Sequence, residues 1–254
     1  MSQNMAYIIE TKNQVMTFTI DRPHIRNAIN NDVMEGFEEL TSRARTEDIR
    51  YVIITATGEQ AFCSGGDLSV FHELKTEQQA WPMLSRMGEA LYRIKTIPVP
   101  VIALVNGTAV GGGCEIATAC DYRLVRRHAK CGFIQGTLAI TSGWGGGTYL
   151  FESLKHDAAL KMLSDARAYT AAELHENGWA SAIIGEDGDI DRFLASMDRV
   201  LPSVHRAYKA MAIRKWQETN LKLRVDQEIR ECARLWAEEA HHKAVDAFLN
   251  KSKK

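Results

Sequence analysis

VIALVNGTAVGGGCEIATACDYRLV, residues 101–125, is the stretch whose reading decides the fold. Val101 to Val105 form an apolar run without polar alternation, as in a strand buried on both faces. The run NGTAVGGGCEIATAC then opens a helix through a glycine cluster, and YRLV returns to strand character. Strand, glycine loop, helix and strand in such short order argue for parallel pairing through a right-handed crossover.

The same alternation extends toward the N-terminus. VMTFTID (15–21) and YVIITA (51–56) read as strands, and between them Val33, Phe37, Leu40 and Ala44 recur at helical spacing behind the capping candidates Asn30 and Asn31. A second glycine cluster, AFCSGGDL (61–68), follows YVIITA, and a helix around residues 84–95 leads through IPVP into VIALV. Beyond about residue 150 the strand signal fades to helical segments, with one short strand candidate at ASAII (180–184). Val225, Ile229, Cys232 and Trp236 form an apolar seam that a lone helix cannot bury, so it must pack on the body or on another subunit. No internal repeat or low-complexity linker marks a domain boundary.

With 254 residues, 45% hydrophobic and 25% charged, the chain can build one α/β domain with a helical tail. Lys plus Arg number 31 against 32 Asp plus Glu, so no field exists to gather nucleic acid. The start carries no basic and apolar leader, and no run approaches the roughly 20 apolar residues of a membrane span; the chain is expected in the cytoplasm, with no membrane partner. Five cysteines without a CxxC pair fit reduced thiols. Adjacent His241 and His242 splay apart on a helix, HExxH is absent, and no metal is expected.

The two glycine clusters each stand where a strand hands over to a helix. Glycines let a ligand approach the backbone, and the first N–H groups of a helix have no internal acceptor and carry the positive end of the dipole. If the loops converge, the Gly66 and Gly112 amides can point at one oxygen, as a developing enolate or tetrahedral oxyanion requires. Glu115, three residues past Gly112, rises on the same helix face and sets a base beside the polarised carbonyl. Taken alone, such glycines also suit a tight turn, and a lone Glu suits a solvated face. A serine hydrolase would want GxSxG and a P-loop GxxxxGK[ST], and neither is present.

IDRPHIRNAI (20–29), QAFCSGGDLSVF (60–71) and LVNGTAVGGGCEIATACDYRLV (104–125) resemble three successive signature blocks of the enoyl-CoA hydratase/isomerase (crotonase) family, and WAEEAHHKAVDAFLNKSKK (236–254) resembles its C-terminal helix. The resemblance implies an α/β fold: a crotonase-type ββα spiral, with residues 1–190 as the acyl-CoA-binding catalytic core and 191–254 as a helical trimerisation region. It makes Gly66 and Gly112 the oxyanion-hole donors and Glu115 the catalytic acid/base. His24, Ile25, Arg26 and Ala28 would line the coenzyme A groove, with Ser64, Gly65, Asp67, Leu68 and Gly111 on the facing wall. Trp144 would lid the acyl pocket or brace its glycine-rich turn, and Phe248 and Lys251 would touch the adenine end of coenzyme A from a neighbouring subunit. The implied assembly is a homotrimer or a hexamer of two trimers, its last helices crossing to a neighbour. No cofactor is implied, since coenzyme A enters as part of the thioester substrate, and the setting implied is fatty acid metabolism.

One position departs from the family's two-carboxylate hydratases. In CGFIQGTLAITSGWGGGT (131–148), Gln135 stands where the second Glu is expected. An amide cannot carry a proton at neutral pH, although it can orient a water or the distal end of a substrate. A single carboxylate suits one proton transfer, as in shifting a double bond. SGGDLSVF, ACDYRLV and SGWGG also resemble the methylmalonyl/ethylmalonyl-CoA decarboxylase branch, which makes loss of CO₂ from a malonyl-type thioester the alternative. A noncatalytic acyl-CoA or RNA-binding module on the same fold is the third reading.

Overall fold

The computed structural model describes residues 6–71 and 73–251; the side chains of Leu68, Ser69, Asp187, Leu249 and Lys251 lie outside that description. The chain opens with an antiparallel hairpin of β1 (Tyr7–Lys12) and β2 (Val15–Ile20), then α1 (Asn31–Thr46), β3 (Tyr51–Ala56), β4 (Ala61–Cys63), the short α2 (Leu68–Phe71) and α3 (Glu77–Lys95). It continues through β5 (Val101–Val105), β6 (Thr108–Val110), α4 (Gly112–Ala119), β7 (Tyr122–Arg126) and β8 (Lys130–Gly132). Then come α5 (Gly146–Ser153), α6 (His156–Asp165), β9 (Tyr169–Thr170), α7 (Ala171–Glu176), β10 (Ala182–Ile184), α8 (Asp187–Asp198), α9 (Pro202–Glu218), α10 (Leu221–Trp236) and α11 (Glu239–Lys251).

Two sheets result. The large one runs β1-β2-β3-β5-β7-β10 and is parallel from β2 onward; the small one runs β4-β6-β8-β9, with β4, β6 and β8 parallel. Each turn of the chain therefore gives one strand to the large sheet and the next to the small sheet, and β5–β6–α4 closes one such turn. This is the ββα spiral that the sequence resemblance implies. β3 and β5 sit between other strands and carry mainly buried residues, whereas β2 alternates, with Met16, Phe18 and Ile20 turned fully inward.

Local signals set the helix starts. Asn30 caps α1 by accepting the Val33 N–H at 3.1 Å, and Thr76 and Gln79 form a reciprocal capping box on α3. α3 begins at Glu77, earlier than the 84–95 periodicity indicates, because Pro82 interrupts the helical pattern without ending the helix. β4 and β6 also lie between the strands read from sequence and their glycine clusters; at three residues each they are too short for alternation to show.

These two short strands matter most for position. They are parallel neighbours, so their C-terminal ends lie on one edge of the small sheet and release residues 64–66 and 111–113 side by side. A side chain built on Gly65 would stand 3.4 Å from the Gly112 nitrogen.

The seam on α10 is buried within the chain itself. Val225, Ile229 and Cys232 are at most 1% exposed and join the core that begins at Ala6. Ile229 presses against Gly88 of α3, where a Cβ would lie 2.2 Å from its Cδ1. α11 then packs over the turn at Gln135–Leu138 and borders the chain's own cavity. Replacing Ile229 with Ala should cost roughly 2–5 kcal/mol in urea denaturation, as for other buried Ile-to-Ala changes, whereas Ala at exposed Leu223 should change stability by less than about 0.5 kcal/mol.

Candidate active site

The loop after β2 is laced to the loop after β4. Ser64 N–H donates to Arg26 O (3.1 Å), Ile29 N–H to Gly65 O (2.9 Å) and Asp67 N–H to Ile29 O (2.9 Å). Asn27 is buried and ties this edge down by donating to Thr57 O and Ala61 O. Asp67 pairs with Arg22 at 2.9 Å, and the same guanidinium holds Ala28 O. The carboxylate of Asp67 is thus tied to the loop scaffold even though it borders the cavity.

Gly65 adopts φ +99° and Gly111 φ +56°, which aim the two following peptides. Neither Gly66 N–H nor Gly112 N–H meets an acceptor among the described residues. The Trp144 indole spans both glycines: a Cβ on Gly112 would fall 2.1 Å from Cζ3, and one on Gly66 would fall 3.7 Å from Cζ2. Trp144 is 4% exposed and forms a floor beneath the two loops, so it braces the turn and borders the cavity at once.

Glu115, one turn along α4, is 2% exposed. Its Oε1 accepts from Gln135 Nε2 (2.8 Å) and Gly143 N–H (3.3 Å), and its Oε2 from Trp144 N–H (2.8 Å) and Gly146 N–H (2.9 Å). Four donors occupy the four lone-pair directions of the carboxylate. Burial pushes the Glu115 carboxyl up to about 7 and the nearby charge of Glu228 adds to the rise, while the three main-chain donors pull against it. The group therefore holds a proton part of the time near neutrality.

These features surround one cavity of about 370 Å³, a volume suited to a small-molecule ligand. Ile25, Arg26, Ala28, Ser64, Gly65, Gly66, Asp67, Gly111, Gly112, Glu115, Gln135, Trp144 and Phe248 all line it. His24 is exposed and stands off the cavity. The side chains of Leu68 and Lys251 fall outside the described residues. Phe248 reaches the cavity from the chain's own α11.

Sequence reasoning missed several lining residues. Phe71, Leu84, Ile140, Cys232 and Trp236 add apolar wall to the cavity, and His241 and His242 line it from α11. His241 Nδ1 is 2.7 Å from Leu138 O, and burial lowers its pKa. Gln135 Oε1 and His242 Nε2 are buried without a partner. Glu228 on α10 was missed as well, although the WGGGT run it contacts was noted for its glycines. Among the described residues no three His, Cys, Asp or Glu side chains gather as a metal site would require, and no helix is long and apolar enough to cross a membrane.

Comparison with known proteins is consistent along nearly the whole chain. The sequence model of the family described as Enoyl-CoA hydratase/isomerase matches residues 10–254. The 2,3-dehydroadipyl-CoA hydratase of Escherichia coli is 31% identical over 248 residues, covering 96% of this chain and 95% of that protein. The ethylmalonyl-CoA decarboxylase of Xenopus tropicalis is 30% identical over 225 residues, covering 85% of this chain and 75% of that one. The crystal structure of an enoyl-CoA hydratase from Bacillus halodurans superposes with a TM-score of 0.86 over 95% of this chain and 99% of that chain, at 21% identity, a likeness of fold.

The contact between Gly112 and Trp144 yields a direct test. Ala at Gly112 must displace the indole and should destabilise the protein by about 1–3 kcal/mol. Combining it with Trp144→Phe should cost less than the sum of the two single changes, read by urea denaturation as a double-mutant cycle. Strict additivity would remove the proposed contact.

Proposed function

Because the chain belongs to the enoyl-CoA hydratase/isomerase family, we propose that it binds an acyl-CoA thioester with its carbonyl oxygen between the Gly66 and Gly112 amides and runs a reaction through the enolate, with Glu115 as the one proton carrier. The observation that carries this reading is the pair of unengaged amides on adjacent loops beside a buried carboxyl. Such donors act on charge that develops at the oxygen in the transition state, and they need no reorganisation when it forms. Arg26 at the rim suits a coenzyme A phosphate and Phe248 its adenine, so that remote binding energy fixes the acyl carbon against Glu115.

Gln135 limits the chemistry. Its amide donates to Glu115 and cannot exchange a proton, so an acid and a base from two carboxylates are not on hand for water addition. A one-proton step fits better. In isomerisation, ionised Glu115 sheds one donor, removes a proton beside the thioester and returns it further along the chain. The Gly143 bond at 3.3 Å is the longest of the four and the first to yield.

A second reading, decarboxylation of a malonyl-type thioester, is favoured by the apolar side chains of Phe71, Leu84, Ile140 and Trp144 on the cavity wall. An ionised substrate carboxylate there lacks solvation, which promotes its departure. The bond from the α-carbon to the carboxylate breaks, CO₂ leaves, the electron pair forms the enolate, and protonated Glu115 delivers a proton to that carbon.

Self-association is part of the proposal. With the α10 seam buried inside the chain, exposed apolar side chains gather along α9, where Leu201 at its cap is followed by Val204, Tyr208 and Met211. Their spacing places all four on one helix face. A homotrimer, or a hexamer of two trimers, would cover it; mass photometry should then show multiples of three copies of the 28.4 kDa chain, and a monomer alone would oppose it.

The two reactions carry opposite pH signs. Isomerisation starts from ionised Glu115, so kcat should rise as pH passes upward through about 7; decarboxylation starts from the protonated acid, so kcat should fall there. Crotonyl-CoA, a 3-enoyl-CoA and methylmalonyl-CoA, followed by mass spectrometry for water gain, isobaric shift or CO₂ loss, identify the reaction. Glu115→Gln should lower turnover by about 10²–10⁴-fold. Wild-type protein that turns over none of these thioesters would favour a binding module instead, whereas a Glu115→Gln protein as active as wild type would reject Glu115 as the proton carrier.

A further inference from the structure

Glu228 has no part in the chemistry above, yet it is built into the same turn. Its Oε1 accepts from Ser142 Oγ (2.6 Å) and Gly147 N–H (3.0 Å), and its Oε2 from Thr148 N–H (2.7 Å) and Thr148 Oγ1 (2.6 Å). Glu115 takes the amides just before these, at Gly143, Trp144 and Gly146. Two carboxylates from different helices thus divide the opening turn of α5 between them. The glycines follow from this: a Cβ on Gly146 would lie 2.4 Å from Glu115 Cγ, and one on Gly147 would lie 2.8 Å from Ser142 Oγ and 3.2 Å from Glu228 Oε1.

We propose that Glu228 is a positioning residue for Glu115, acting on it through the shared turn 142–148 and through its own negative charge. From α10 it clamps the segment whose amides aim the Glu115 carboxylate and whose Trp144 supports the two glycine loops. Helix starts attract carboxylates, but two placed together raise each other's affinity for a proton. Burial and the charge of Glu228 both push Glu115 upward, in keeping with this arrangement. Glu228 is itself raised by burial, against its four donors.

The other titratable groups near Glu115 are Cys232 on α10, Cys114 on α4 and Tyr149 on α5, with Glu89 and Tyr92 of α3 facing Tyr149. Burial raises the two thiols and the Tyr149 phenol, which stay neutral at neutral pH. Glu228 is therefore the charged group that can set the Glu115 midpoint.

This inference rests on Glu115 being the proton carrier, but its test does not use turnover. Infrared difference spectra against Glu115→Gln isolate the carbonyl band of protonated Glu115, and a pH series gives its midpoint. In Glu228→Gln the midpoint should fall by about one unit, while in Glu228→Asp, which keeps the charge, it should stay near wild type. A folded Glu228→Gln protein with an unmoved midpoint, or a Glu228→Asp midpoint as low as that of Glu228→Gln, overturns the proposal. If Glu228→Gln does not fold, Thr148→Val removes one hydroxyl donor, leaves Glu228 less ionised and should lower the Glu115 midpoint in the same direction; no movement there overturns it equally. A shifted midpoint in a protein whose Glu115→Gln variant turns over normally would uphold this coupling and reject Glu115 as the catalytic acid/base.

Discussion

The Glu115 carboxylate, buried and held by four donors, is the interaction around which the rest of the site is arranged. A charge in that position is sustainable only if its lone pairs are occupied, and three of its partners are main-chain amides of one turn. That requirement fixes the path of residues 143–146, sets the Trp144 indole under the glycine loops and allows no side chain at Gly146. Catalytic potential and local backbone shape are here a single constraint, since the amides that stabilise the ionised form also decide how much proton affinity burial leaves.

The ββα spiral supplies what that turn cannot. Two loops distant in sequence lie side by side because their strands are parallel neighbours in the small sheet and so end on one edge. A hairpin would have sent the second loop to the opposite end. The short β4 and β6 therefore do geometric duty out of proportion to their length, and the larger sheet behind them carries most of the core.

How much of this was legible in the sequence depended on range. The glycine runs at 64–66 and 111–113 and the spacing from Gly112 to Glu115 are local signals, and the structure gathers those residues at one cavity. The strands at 15–20, 51–56 and 101–105 were equally plain, the first by its alternation and the other two because buried parallel strands write apolar runs. Glu228 was not legible: within VDQEIRECARLW it reads as one more carboxylate on the polar face of an amphipathic helix. Its partners lie some eighty residues away and become visible only when α10 docks. The α10 seam announced that it must be buried but not against what, since a periodic apolar face carries no information on which surface covers it. Trp144 sat between two readings for the same reason, as only the tertiary contact places its ring beneath Gly66 and Gly112.

Gln135 can be understood from the same crowding. Its amide lies 2.8 Å from Glu115, whose other side already faces the charge of Glu228. A carboxylate at position 135 would put a third acidic group into one buried cluster, where neighbouring acids raise each other's affinity for a proton and titrate together. The amide avoids this by donating to Glu115, and that bond commits its orientation: Nε2 points at the carboxylate and Oε1 is buried without a partner. The turn thus pairs one buried group able to titrate with one that cannot, a limit set by how many negative charges one helix start can hold.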